Sequence, residues 1–163
     1  MEDESLKKFS KVSYEQYAAA VGGDVDLREE YEAIKLPKRA TTGSGGYDFF
    51  APCDICLAPG EEIKIPTGIR VALDQDKLLA CFPRSGLGFK YRLMLNNTVG
   101  IIDSDYYGSS NEGHMFAKLY NNGNQDVFIK KGEAFMQGII LQYFLTDDDD
   151  ADGVRDGGFG STG

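Results

Sequence analysis

Short apolar stretches separated by turn residues run through most of this chain, and they restrict what it can fold into. Turn residues that end strands recur at Pro59-Gly60, Pro66-Thr67-Gly68, Asn96-Asn97, Asn121-Asn122-Gly123-Asn124 and Lys131-Gly132. Many short strands at this spacing, with no long amphipathic helix and no internal repeat, predict an all-β sandwich, jelly roll or β-barrel. The candidate strands are 31–36, 47–51, 62–65, 69–73, 78–82, 92–95, 115–120, 126–129 and 134–145.

The length and the terminal patterns indicate one domain with appended segments. A chain of 163 residues can bury a core without disulfides. Residues 1–30 are charged and are predicted to be peripheral, with one short helix over 14–21 that a capping box from Ser13 to Gln16 opens and Gly22 stops. The predicted division is a peripheral segment over 1–30, a β-domain over 31–145, an acidic linker over 146–154 and a flexible glycine-rich arm over 155–163.

The last candidate strand, 134–145, is nearly all apolar. An apolar run of that length indicates either a strand buried on both faces or a contact between subunits. The two possibilities stay open at the level of sequence.

The charge excludes several classes of partner. A net charge of −9 argues against binding to nucleic acid or to anionic membranes, which require a basic surface. No apolar run of about 18 residues is present, so no transmembrane helix is expected. The start Met1-Glu2-Asp3-Glu4 lacks the pattern of a signal peptide, and a cytoplasmic location is the expectation.

The three cysteines include one C-x-x-C pattern, Cys53 to Cys56. A second pair is absent and the single histidine, His114, is distant in sequence, so a zinc or redox site is disfavoured. Residues three apart in a strand also face opposite sides. We therefore expect buried structural thiols in a reducing compartment.

Two glycine-containing segments have the chemistry of phosphate binding. The tail 155–163 combines Arg155, Phe159 and four glycines, and the loop 83–88 reads Pro-Arg-Ser-Gly-Leu-Gly. Glycine lets backbone N–H groups approach phosphate oxygens, arginine adds a charged fork, and an aromatic ring can cover a base. By itself the tail is more typical of a disordered end than of a binding segment, and the loop is equally typical of an ordinary turn. The two together indicate a nucleotide ligand.

Five ordered segments carry a resemblance to the trimeric-type dUTPase family. They are 40–51 (Ala-Thr-Thr-Gly-Ser-Gly-Gly-Tyr-Asp-Phe-Phe-Ala), 83–86 (Pro-Arg-Ser-Gly), 100–108 (Gly-Ile-Ile-Asp-Ser-Asp-Tyr-Tyr-Gly), 132–137 (Gly-Glu-Ala-Phe-Met-Gln) and the tail 155–163. The resemblance implies a dUTPase-like jelly-roll homotrimer with three interfacial sites that hydrolyses dUTP to dUMP and pyrophosphate. Such an enzyme keeps uracil out of DNA and supplies dUMP for thymidylate synthesis. The resemblance also implies Mg²⁺ as cofactor and an arm exchanged between subunits.

The resemblance assigns roles residue by residue. Asp103 is implied as the general base, since a carboxylate that hydrogen-bonds water can orient it and accept its proton. Its alternative is a capping role beside a turn, and Asp105 is expected to make structural hydrogen bonds. Asp48 is implied to lie near the Mg²⁺ without binding it directly. The implied substrate-binding residues are Arg84, Ser85, Gly86, Asn97, Gly100, Ile101, Ile102, Asp103, Tyr106, Gln137, Arg155, Phe159, Gly160 and Ser161.

Within that set, Arg84, Ser85, Gly86 and Gln137 are implied to hold phosphates. The stretch 97–103 is implied to pair with the uracil edge, and Tyr106 to pack on the deoxyribose. Phe159 is implied to cover the base, with Arg155, Gly160 and Ser161 on the phosphates.

Departures from the family pattern leave two alternatives. Gly45 stands where alanine is usual, the fourth motif is loose, and residues 109–114 look like an insertion. A deoxycytidine triphosphate deaminase of related fold would need a carboxylate where Lys118 stands. A regulatory protein that binds nucleotide on the same trimer is the second alternative.

Overall fold

The computed structural model describes residues 7–158, and in these residues every paired strand runs antiparallel to its neighbour. Three of the predicted site residues, Phe159, Gly160 and Ser161, lie outside the described residues. The strands are β1 Phe9–Lys11, β2 Tyr47–Phe50, β3 Ile55–Leu57, β4 Glu62–Pro66, β5 Ile69–Val71, β6 Lys77–Pro83, β7 Leu93–Leu95, β8 Gly100–Asp103, β9 Phe116–Asn121, β10 Val127–Ile129 and β11 Ala134–Gln142. The helices are α1 Tyr14–Val21, α2 Arg28–Ala33, α3 Ser85–Tyr91 and a 3₁₀ helix Ser104–Gly108.

The strands form four sheets. The largest has the order β2-β11-β6-β8, a second has the order β4-β9-β7, and two pairs, β1-β5 and β10-β3, complete the layers. Because consecutive strands mostly belong to different sheets, the chain crosses repeatedly between layers, as in a jelly roll. The prediction of an all-β jelly-roll fold is confirmed.

The core lies between these sheets and follows the period of two that strands impose. Along β9 the side chains of Ala117, Leu119 and Asn121 are buried, whereas Lys118 between them is exposed. Leu79 of β6 and Phe135 of β11 are fully buried in the same core. Full burial of an apolar side chain of this size contributes about 2 kcal/mol, so these positions dominate the stability of the domain.

The N-terminal segment contributes to this core, although its sequence indicated a peripheral location. Val12 and Tyr17 are fully buried, and β1 pairs with β5. Helix α1 has the predicted bounds; the Ser13 side chain caps it by accepting from Gln16 N, and Gly22 ends it with a φ of 79°. Helix α1 contacts the core through Tyr17, and its three consecutive alanines give no clear apolar face in the sequence.

The predicted strand over 31–36 is wrong in its first half, because residues Arg28–Ala33 form helix α2. The Asp26 carboxylate accepts from Arg28 N at the start of this helix, and Glu29 and Glu30 occupy its first turn, where acidic side chains are favourable. Tyr31 then packs on the rings of α1. The alternation from Ala33 to Leu36 belongs to the extended chain that leaves the helix.

Strand β11 is shorter than predicted and is exposed in its second half. Phe135 and Met136 are buried, but Ile140 and Leu141 are 39% and 44% exposed. Beyond the strand, Phe144 and Leu145 are exposed as well. The apolar run 134–145 is therefore buried on both faces only at its start and presents an apolar surface in the single chain at its end.

The cysteines do not share one environment. Only Cys81 is buried, and burial raises the pKa of its thiol to about 12. Cys53 is half-buried and Cys56 is exposed. The expectation of buried thiols is thus wrong for Cys56, whose side chain points outward from β3 between buried Ile55 and Leu57. The described residues hold no group of three or more histidine, cysteine or carboxylate side chains suited to a metal ion.

None of the helices in the part of the chain that the structure describes has the length and apolar character needed to span a membrane. The cytoplasmic location stays a prediction.

Candidate active site

The first group of predicted site residues surrounds a cavity of about 260 Å³, which we call the phosphate cluster. Strands β2, β6 and β11 bring three of the predicted motifs to it, because β11 pairs with both β2 and β6. Arg84 follows the end of β6, and its Nε lies 3.3 Å from Asp48 Oδ1 on β2. The cluster consists of Asp48, Arg84, Ser85, Gly86 and Gln137.

Gln137 fixes the geometry of this cluster from β11. It pairs directly with Asp48 across the strands, and its Nε2 donates to Pro83 O over 3.1 Å. A Cβ atom at Gly46 would lie 2.5 Å from Gln137 Oε1, so glycine at this position lets the loop approach the amide. Arg84, Ser85 and Gly86 remain exposed to solvent and accessible to an anionic ligand.

The second group centres on Asp103 at the end of β8, and we call it the base cluster. Asp103 occupies the capping position of the 3₁₀ helix, yet its side chain makes no capping hydrogen bond. The carboxylate is 45% exposed, and its Oδ2 accepts from Arg155 Nη2 over 2.7 Å. The alternative capping role is therefore not realised, and the carboxylate is free of the backbone.

The described part of the C-terminal arm, residues 155–158, lies on its own chain over this cluster. The guanidinium of Arg155 donates to Asp105 Oδ1 from Nε over 2.7 Å, in addition to its bond to Asp103. Gly157 N donates to Ser109 Oγ over 3.1 Å. A Cβ at Gly158 would lie 2.5 Å from the ring of Tyr106, so the arm backbone rests directly on that ring. The linker residues 146–154 that precede the arm are exposed.

A cavity of about 660 Å³ adjoins the base cluster and has the dimensions of a small-molecule site. Three of the predicted substrate-binding residues, Asn97, Gly100 and Ile102, line it together with Gly158 of the arm. A Cβ at Gly100 would meet the Cβ of Cys81 at 3.3 Å, so the strand packs closely against β6 at the cavity wall. Ile101 is exposed on the opposite face of β8, in a small cleft with Asp103 and Arg155.

Tyr106 is buried and lines the small cleft, which shares Ile102 and Gly158 with the large cavity, and its hydroxyl is fixed by the segment 109–114. Tyr106 Oη accepts from Asn111 Nδ2 over 2.9 Å and donates to His114 O. Burial raises the pKa of this phenol, so it is a neutral donor at physiological pH. In the sequence this segment looks like an insertion, and Asn111 is not among the predicted site residues. Its spacing of five residues from Tyr106 is the only signal that the sequence offers.

The two clusters lie at opposite ends of β6 within the chain. Asp103 pairs with Leu78 near the start of the strand, whereas Arg84 follows Pro83 at its end. Leu78 and Arg84 are six positions apart along extended chain, a distance of about 20 Å. The fold therefore brings together Asp48, Arg84 and Gln137, and separately Asn97, Asp103 and Tyr106, but it does not join the two sets in one chain.

The position that a deaminase would need carries no carboxylate. Lys118 lies on β9 at the rim of the large cavity, and its Nζ is 3.0 Å from Glu62 Oε1 on β4. An ammonium group held in this way cannot accept a proton. This geometry disfavours the deaminase alternative.

The chain has an all-β jelly-roll fold. Exposed arginine, serine and glycine lie at one strand end, and an accessible carboxylate lies at another. These features are typical of a nucleotide-binding protein of the jelly-roll class. Comparison with known proteins gives the same result. The dUTPase family model matches residues 32–163. The deoxyuridine 5'-triphosphate nucleotidohydrolase of Lactococcus lactis is 40% identical over 145 residues, covering 87% of this chain and 97% of the relative.

Solved structures support the same assignment. The dUTPase of Streptococcus mutans superposes with a TM-score of 0.66 at 32% identity, covering 86% of this chain and 98% of that one. A mutant dUTPase from phage phi11 of Staphylococcus aureus, whose structure describes the coordination of a structural Mg(II) ion, has the same fold with a TM-score of 0.61 at 19% identity, covering 75% and 92%. The chain belongs to the dUTPase family.

Proposed function

We propose that this protein hydrolyses dUTP to dUMP and pyrophosphate, with Asp103 as the general base for a water that attacks the α-phosphorus. The observation that carries the proposal is the half-exposed Asp103 carboxylate at the end of β8, free of any capping bond and bordered by an arginine of the arm. A carboxylate in this setting can hold a water molecule and accept its proton as the bond to phosphorus forms.

The phosphate chain fits the exposed donors of the phosphate cluster. Arg84 presents a charged fork, the Ser85 hydroxyl a further donor, and Gly86 leaves room for close approach of an oxygen. Arg84 is the cation of this group, and its pairing with Asp48 orients the guanidinium. Arg155, with Gly160 and Ser161 beyond the described residues, supplies further donors when the arm is closed.

Base and sugar selection belong to the large cavity. Asn97 and the backbone of Gly100 to Ile102 offer donors and acceptors to the uracil edge, and a base with the wrong pattern leaves buried groups unpaired. Tyr106, in the small cleft that adjoins this cavity through Ile102 and Gly158, is the proposed wall against which the deoxyribose packs. Phe159, outside the described residues, is proposed to cover the base.

A homotrimer with sites between subunits is part of the proposal. Since about 20 Å of β6 separates Asp103 from Arg84, one chain cannot offer both groups to one triphosphate. A site shared between protomers removes this difficulty. The exposed apolar end of β11 supplies a surface for such assembly.

The exchange of the arm between subunits is also proposed. In the single chain the arm rests on its own base cluster. The nine residues of the linker 146–154 span about 30 Å when extended, which is sufficient to carry the arm to a neighbouring protomer. Closure of the arm would exclude water from the site and complete its set of donors.

Mg²⁺ is the proposed cofactor, and the donor set of the phosphate cluster fits it. Asp48 is the carboxylate in this cluster, and a group of three or more candidate ligands is absent from residues 7–158. Mg²⁺ keeps several waters and binds largely through substrate phosphates, so one nearby carboxylate that contacts it through water is sufficient. The ion would neutralise phosphate charge. Arg84 and Arg155 orient the phosphate chain of the substrate, and Asp103 accepts the proton of the attacking water.

The test is pyrophosphate release from dUTP, UTP, dTTP and dCTP, with and without Mg²⁺, by the native protein and by Asp103→Asn. We expect rapid cleavage of dUTP alone and a loss of at least about 10²-fold in the variant, as removal of a general base produces. Equal rates on all four nucleotides would contradict the proposed selectivity. Ammonia release from dCTP would instead support a deaminase.

A further inference from the structure

The segment 109–114 makes a tight turn that folds back onto Tyr106. Glu112 and Gly113 are consecutive left-handed residues, with φ values of 62° and 72°. A Cβ at Gly113 would lie 2.7 Å from Tyr107 Cα and 2.9 Å from Tyr106 O, so only glycine lets the turn press against this backbone. The segment 109–114 therefore contacts Tyr106 and Tyr107 and does not extend into solvent at this point.

The turn places the Asn111 amide between two fixed groups. Asn111 Nδ2 donates to Tyr106 Oη over 2.9 Å, and Asn111 Oδ1 accepts from Gly113 N over 3.2 Å. Tyr106 Oη in turn donates to His114 O. The hydroxyl accepts one bond and donates another within the same turn, which determines the direction of the ring. Asn111 also lines the large cavity.

The N-terminal segment supports this turn through one carboxylate. Glu112 Oε1 accepts from Ser13 N over 2.8 Å, and Glu112 Oε2 accepts from Ser13 Oγ over 2.6 Å. A left-handed backbone is unfavourable for a residue with a side chain, and two charge-assisted hydrogen bonds offset that cost. Ser13 thereby stabilises the conformation that presents Asn111 to Tyr106, although it lies outside the cavity.

We propose that Asn111 is a positioning residue that sets the preference of this site for deoxyribose over ribose. It does so by fixing the ring of Tyr106 through the tyrosine hydroxyl. Ser13 and Glu112 stabilise the turn that carries Asn111. The inference rests on the proposed function, in which Tyr106 forms the wall beside the sugar. With the hydroxyl fixed, the ring cannot retreat to admit a 2′-hydroxyl group. Without the Asn111 bond, the hydroxyl loses one of its partners, so the ring gains freedom and the site tolerates the larger sugar.

The experiment measures kcat/KM for dUTP and UTP in the native protein, Asn111→Ala and Asn111→Leu. Leucine is close to asparagine in size but can neither donate to nor accept from Tyr106 Oη. Loss of one neutral hydrogen bond corresponds to about fivefold, so we expect the dUTP:UTP ratio to fall by about fivefold in both variants. Ser13→Ala should lower the ratio in the same direction by a smaller factor.

The matched control is Asn124→Ala, the same substitution at an exposed turn residue, which should leave the ratio unchanged. An unchanged ratio in both Asn111 variants, or a fall in Asn111→Ala without one in Asn111→Leu, overturns the positioning role of the hydrogen bond. Absence of dUTP hydrolysis by the native protein overturns the proposed function itself. Because discrimination is a ratio within one folded sample, a loss of stability alone does not change it.

Discussion

The guanidinium of Arg155 bridges the carboxylates of Asp103 and Asp105, with both nitrogen–oxygen distances at 2.7 Å. The pair joins the arm to the proposed general base across 52 residues of sequence. Asp105, which the sequence assigned to structural hydrogen bonds, is the second anchor of the arm. A planar fork that contacts two carboxylates at once is a geometry that lysine cannot reproduce.

The first prediction concerns this contact. Arg155→Lys should lower kcat for dUTP by about 10- to 100-fold, because one directed donor of a charged site is lost.

A chain ending at Asp152 should stay folded, since none of the described core residues follows β11, but should lose most turnover. Thermal melting and pyrophosphate release measure the two properties. Normal turnover by the truncated chain would contradict the role given to the arm.

The second prediction concerns assembly through the end of β11. Leu141→Asp should yield a folded monomer with little activity, because Leu141 is exposed in the single chain and a buried carboxylate would disfavour association. Sedimentation velocity gives the mass and circular dichroism the fold. Val25→Asp, at a residue that is 73% exposed, is the matched control and should remain trimeric. A fully active monomer would exclude a site shared between subunits.

The third prediction concerns the pH dependence of stability at His114. Its Nε2 accepts from Gly68 N over 2.9 Å, and burial lowers its pKa from 6.5 to about 4, with the Glu112 carboxylate acting in the opposite sense. Between pH 4 and 6.5 the unfolded chain therefore binds more protons at His114 than the folded protein does. The free energy of unfolding should fall as the pH falls from about 6.5 to 4, by up to roughly 3 kcal/mol, and the contribution is fully present above pH 6.5.

Urea denaturation at several pH values measures this dependence. The variant His114→Gln should lose the part of the slope that falls between pH 4 and 6.5, even if its stability is lower at every pH. An identical slope in the two proteins would show that other groups cause the dependence.

The fourth prediction concerns the turn at Gly113. Gly113→Ala should lower the free energy of unfolding by at least about 2 kcal/mol, because its positive φ disfavours a side chain and the new methyl would meet backbone at 2.7 Å. Gly43→Ala is the matched control, since a Cβ there meets nothing within 4 Å and φ is not positive. Equal stability of the two variants, measured by urea denaturation, would contradict the close packing of the turn.

Individual elements show how far the sequence could be interpreted. The turn signals predicted most strands because glycine, proline and asparagine act on the local backbone, and the capping box from Ser13 to Gln16 predicted α1 for the same reason. The prediction of a strand over 31–36 was wrong because the first half of this segment ends helix α2, which packs against α1 through Tyr31. The alternation that suggested a strand belongs to the extended chain that follows the helix. Asn111 escaped notice because an asparagine in a loop has no distinctive pattern until the turn places it on Tyr106.

By itself the sequence determined the all-β architecture, the motifs of the dUTPase family and the residues proposed to bind phosphate, because these depend on local backbone preference and side-chain chemistry. Only the tertiary structure decided that Asp103 and Arg84 lie at opposite ends of β6, that the N-terminal segment supports the turn beside Tyr106, and that Arg155 reaches two carboxylates. These relations join residues distant along the chain, and their distances depend on strand register and packing rather than on local composition.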